Sequence, residues 1–113
     1  MSIQRIETGP RMSKAVVHGS TVYLAGQVGT GATVAEQTQD VLAQVDKWLA
    51  AAGTDKTKLL AATIYLSDMS TFAEMNKVWD AWVAPGQTPA RATVEAKLAT
   101  PDYKVEIVVI AAL

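Results

Sequence analysis

The chain of 113 residues has no cysteine, one histidine (His18) and one phenylalanine (Phe72). Without cysteine there is no disulfide framework, no thiolate nucleophile and no thiolate metal site. A lone histidine rules out a multi-histidine metal centre, and no acid and nucleophile are spaced around it as a triad needs. His18 therefore reads as a turn or surface residue. Long hydrophobic runs are also missing: the uncharged stretches are short and amphipathic, so no helical membrane span is expected. The opening "MSIQRIETGP" lacks the apolar centre of a signal peptide, and a cytoplasmic protein is the expectation. Nor is there an excess of either charge. Ten basic residues face eleven acidic ones, for a net charge of −1. Nucleic-acid binding draws its affinity from neutralised phosphates and leaves a basic footprint, which this composition does not supply.

Half of the residues are apolar and 19% are charged, a globular balance at a length that suits one domain over residues 1–113. Changes in apolar rhythm give the layout. "KAVVHGSTVYLAG" reads as a hairpin, with strands at 15–18 and 21–25 around Gly19-Ser20. The glycine-rich "GQVGTGAT" follows as a loop. It matches neither phosphate-binding glycine pattern, so a plain turn is the first reading, although its N–H groups could meet an anion. Thr33 and Glu36 have capping-box spacing, which predicts a helix from Val34. Val34, Val41, Leu42, Val45, Leu49 and Ala52 make its apolar stripe, and Gly53 its stop.

"LLAATIYLSD" reads as a strand with Ala62, Ile64 and Leu66 on one face. Thr71 and Glu74 repeat the capping-box spacing. Phe72, Met75, Trp79 and Trp82 then stripe a second helix that ends at Pro85-Gly86. Trp48 beside Leu49, and Trp79 and Trp82 on that stripe, suit core packing better than base stacking. "RATVEAKL" and "YKVEIVVIAAL" read as two further strands joined by a turn at 99–102, the simplest pairing being a hairpin. An α+β fold follows, with one sheet of about five or six strands and two helices on one face.

Both faces of the last strand are apolar. Val105, Ile107, Val109 and Ala111 share one, while Val108 and Ile110 share the other with Glu106. Two helices cannot cover both, so a partner subunit is expected on the second. A carboxylate among valine and isoleucine is costly unless it is paired or hydrogen-bonded, or lies on an exposed rim. Arg91 alternates with Thr93, Glu95 and Lys97, which alone suggests an exposed strand position. In a hairpin, Arg91 would fall near Ile110 and Glu106 near Glu95. The two charges would mark two ends of a small pocket, or contributions from different subunits.

"AGQV", "AATIYLSDMSTFAEMNKVWDAW" and above all "PARATVEAKL…YKVEIVVIAA" closely resemble the Rid/YjgF family across essentially the whole chain, most of all its short, YoaB-like subgroup. The resemblance implies a chorismate-mutase-like α+β fold assembled as a homotrimer, with ligand sites between subunits and no metal or organic cofactor. It implies an enamine/imine deaminase that hydrolyses 2-aminoacrylate-type intermediates and related 2-imino acids to 2-keto acids and ammonia. By position, Arg91 matches the arginine that holds the substrate carboxylate, a bidentate task suited to guanidinium. Glu106 matches the glutamate thought to orient the attacking water. Gly26 and Thr93 would line the rest of the cleft. Where well-studied members carry a tyrosine, a small hydroxyl residue and a cysteine, this sequence has Met12, Ala25 and Thr93. Those altered walls leave room for a trimer that binds keto acids or other small carboxylates without turnover. An endoribonuclease or translation inhibitor, a label attached to some relatives, fits less well with one histidine and an acidic pI of about 5.7.

Overall fold

The Thr33 hydroxyl accepts the Glu36 N–H at 3.1 Å and opens helix α1 (Val34–Ala52), as the spacing predicts. Gly53 closes it in the left-handed region at φ 89°. The computed structural model describes residues 1–113, with strands β1 (Ile3–Thr8), β2 (Ser13–His18), β3 (Thr21–Leu24) and β4 (Gln27–Val28) before α1. Strand β5 (Leu59–Leu66), helix α2 (Phe72–Trp82) and strands β6 (Ala90–Glu95) and β7 (Val105–Ala112) complete it. Two of these strands were not foreseen: β1, and the two-residue β4 inside the glycine-rich loop.

The second helix begins differently from the sequence expectation. Thr71 makes no side-chain cap to α2. Asp68 instead accepts the Ser70 N–H at 2.9 Å and starts a short 3-10 turn over Met69–Thr71, which feeds the helix. Glu74 is used elsewhere: its carboxylate accepts the Ala35 N–H at 2.9 Å, satisfying a free donor at the start of α1.

The sheet runs β1-β2-β3-β7-β5-β6, with β4 also on β7. The expected terminal hairpin does not form, because β5 lies between β6 and β7. Strand β6 instead runs parallel to β5, with α2 as the connection, and ends the sheet as an edge. Strand β7 threads antiparallel between β3 and β5. Both helices cover one face, where Val22, Leu24, Ala62, Ile64, Leu66, Val105, Ile107 and Val109 meet Val41, Leu42, Val45, Leu49, Met75 and Trp79 in a single core. On the other face Tyr65, Val108 and Ile110 stay half-buried, and Tyr23 and Val94 are exposed. No helix is long and apolar enough to cross a membrane.

Candidate functional site

Glu106 stands on the open face of the sheet. Strand β7 places it opposite Tyr65 on β5 and Val28 on β4. Val105 and Ile107 on either side are fully buried against the helices, so the alternation of the strand forces Glu106 outward. It is half-buried and shares a hollow of about 320 Å³ with Tyr65, Val108 and residues 96–99, which follow β6.

Gly26 makes room for that carboxylate. A Cβ at position 26 would lie 3.0 Å from Glu106 Cδ and would overlap Oε2 outright. This placement of the carboxylate therefore needs glycine at position 26. Ala25, half-buried beside it, accepts the Gln27 side-chain amide at 2.9 Å and ties the turn between β3 and β4. Met12, 48% exposed, sits in the turn between β1 and β2, with its carbonyl accepting the Gly9 N–H. Its side chain is free to contact a ligand or a second chain.

Arg91 occupies the other face. Its register partner on β5 is Ala62, which is buried under the helices, and its Cζ lies 5.9 Å from the Phe72 ring and 5.2 Å from the Trp79 ring. The guanidinium rests on aromatic faces and not on an anion. Of the polar row that starts on β6, Arg91 and Thr93 are half-buried, whereas Glu95 and Lys97 are exposed as the pattern alone suggests. At the far end of β6, Glu95 accepts the N–H of Met69, in the 3-10 turn before α2, at 2.8 Å. Thr93, next on that side, has a buried hydroxyl without a hydrogen-bond partner.

Arg91 and Glu106 thus do not meet within one chain. Arg91 belongs to the row of Ala62 and Val109, Glu106 to that of Tyr65 and Val94. That is three residues along the strands at roughly 3.3 Å each and two strands across at roughly 4.8 Å each. An odd offset also puts them on opposite faces. Within one chain, Glu106 is grouped with Gly26, and Arg91 with Thr93.

Two larger hollows contain neither charge. One of about 590 Å³ lies between the helices and is lined by Lys56, Lys77 and Trp82. One of about 600 Å³ lies between the glycine-rich loop and residues 100–104. In that loop the Thr30 N–H is already given to the Asp40 carboxylate at 2.8 Å, which weighs against a phosphate cradle. His18 is exposed at the end of β2, as expected of a turn residue. No cluster of three or more His, Asp or Glu side chains is placed to hold a metal ion.

Sequence reasoning missed Tyr65 beside Glu106 and the aromatic seat under Arg91. The first was recoverable, because Tyr65 alternates with Ile64 and Leu66 and must face away from the core. The second required knowing that α2 packs over β6.

The chain matches the protein family described as Endoribonuclease L-PSP over residues 2–113. It is 47% identical to a RutC family protein of Haemophilus ducreyi, covering 98% of this chain and 97% of that one. It is 46% identical to the RutC family protein YoaB of Escherichia coli K12, over the full length of both. Among solved structures, a YjgF family member from Neisseria meningitidis superposes with a TM-score of 0.98 at 56% identity, covering 99% of this chain and 95% of that chain.

Proposed function

From the premise that this chain belongs to the YjgF/RutC family, we propose that it is a 2-imino acid (enamine/imine) deaminase that works as a homotrimer. The carrying observation is the pair of uncommitted charges: a guanidinium seated on rings at a sheet edge, and a carboxylate kept clear by Gly26 on the open face. The two lie on opposite faces of one chain, so a complete site takes Arg91 from one copy and Glu106 from its neighbour. The half-buried apolar face around Val108 and Ile110 gives that neighbour a surface to cover.

In such a cleft Arg91 grips the substrate carboxylate through two parallel N–H donors. Glu106 orients a water molecule and accepts its proton as oxygen attacks the C=N carbon. The tetrahedral carbinolamine then expels its protonated nitrogen as ammonia, and the C=O of the 2-keto acid forms. The sum is one imine and one water giving one keto acid and one ammonia. Gly26, Ala25, Met12 and Thr93 shape the walls, and the cytoplasm is the proposed setting. The test generates 2-iminobutanoate in situ and follows its loss with wild type and with Arg91→Ala. Wild type should accelerate the loss and the variant should not; equal rates with and without protein would contradict the proposal.

A second reading is favoured by Met12, Ala25 and the partnerless Thr93 hydroxyl: a trimer that binds keto acids without turnover. Calorimetry showing Arg91-dependent 2-oxobutyrate binding, with no imine hydrolysis, would select it. The ribonuclease chemistry in the family's description finds little support here, since the one histidine lies exposed at the end of β2.

A further inference from the structure

Helix α2 turns two rings toward Arg91, and helical spacing puts a third side chain, Asn76, on the same flank. Phe72 and Trp79 provide the rings, and Asn76 lies between them, four residues after one and three before the other, so it shares their face. Met75, on the opposite flank of the stripe, is fully buried in the core. Asn76 is left on the flank toward β6, where Arg91 sits. Its Oδ1 is buried and accepts no hydrogen bond within the chain. A buried carbonyl without a donor is unfavourable, and the neighbouring guanidinium carries five N–H groups in a fixed fork.

We propose that Asn76 is a positioning residue for Arg91: in the assembled site its Oδ1 accepts one guanidinium N–H. The two rings set the plane of the guanidinium, and the amide sets its rotation within that plane. The remaining edge of the fork then faces the ligand carboxylate. The two groups are not bonded in the single chain, and the proposed bond belongs to the assembled site. The inference rests on the reading of Arg91 as the carboxylate anchor.

The test compares Asn76→Ala, Asn76→Leu and the isosteric Asn76→Asp in the full-length protein. Three readouts are used: KM and kcat for 2-iminobutanoate, the Kd of 2-oxobutyrate, and the Nε–H resonance of Arg91, assigned with Arg91→Lys. The alanine variant should raise KM and Kd about tenfold while kcat changes less than about twofold, because orientation of the carboxylate is lost and not the attacking group. Its Arg91 Nε–H signal should shift and exchange faster with water. The aspartate variant should bind 2-oxobutyrate more weakly still, since its own carboxylate pairs with Arg91. If Asn76 only fills space, the similarly sized Asn76→Leu should leave the Kd and the Arg91 Nε–H signal like wild type. An alanine variant with unaltered KM, Kd and Arg91 resonance overturns the proposal. If wild type neither binds nor turns over these acids, the functional reading fails, and the Arg91 resonance alone still decides the positioning role. Should the alanine variant fold poorly, the leucine variant carries the same decision.

Discussion

Gly26 and Glu106 are matched by space: the carboxylate of Glu106 occupies the volume that any side chain at position 26 would need. Gly26→Ala must push that carboxylate aside or move the turn between β3 and β4. Turnover should fall roughly tenfold or more, with little loss of stability, because the displaced group is the mobile end of a half-buried side chain. The Kd for 2-oxobutyrate should change less than turnover, because the carboxylate grip in that cleft comes from Arg91 of the neighbouring copy. Parallel loss of binding and turnover would instead mean that the alanine distorts the whole cleft.

Glu106→Gln keeps the size and removes the proton acceptor. Imine hydrolysis should drop by about 10²–10⁴ if the carboxylate takes the water proton. Keto acid binding should persist in calorimetry. Wild-type turnover by this variant would move the general base elsewhere.

Much of the fold is written in local pattern. Thr33, Gly53, the Gly19-Ser20 turn and the apolar faces of β5 and β7 all appear where residue chemistry puts them. The exceptions have separate causes. Strand β1 is mostly exposed, so its side chains show no core alternation, and backbone pairing with β2 holds it. The misplaced hairpin reflects a choice between partners distant in sequence, since β5 displaces β6 from β7. At the site, Glu106 stood out because a carboxylate among apolar neighbours is conspicuous. The setting of Arg91 was hidden, because it depends on α2 covering the one strand whose inner face is polar.

Gln37 offers a stability test that does not touch the proposed chemistry. It is buried, and its side chain bonds the Gly31 and Asp102 carbonyls and the Lys104 N–H at 3.0, 2.9 and 2.8 Å. Gln37→Leu leaves all three backbone groups without that partner, at about 1–3 kcal/mol for each one that water cannot reach. Urea unfolding should show a clear fall in midpoint. An unchanged midpoint would mean that water replaces the amide at no cost.

Asp68 predicts a pH dependence. The Ser70 hydroxyl and N–H bond its carboxylate and hold its carboxyl below the usual range. The folded chain therefore binds this proton less readily than the unfolded chain. The stabilisation is complete above about pH 4 and fades as pH falls through the lowered folded value. Asp68→Ala should lower the thermal midpoint at pH 7, and the gap to wild type should narrow as pH drops below about 4. A gap that holds constant down to pH 2 would contradict the assignment.

The central claim is that Arg91 and Glu106 act together across two copies of the chain. Arg91→Ala and Glu106→Gln should each be inactive alone. Mixed under conditions that allow subunit exchange, they should regain activity, because some clefts then pair an intact Arg91 with an intact Glu106. Random exchange at equal amounts should restore about a quarter of wild-type turnover per site. If exchange is verified by mass and the mixture stays inactive, the two residues do not form a site between subunits, and the account fails.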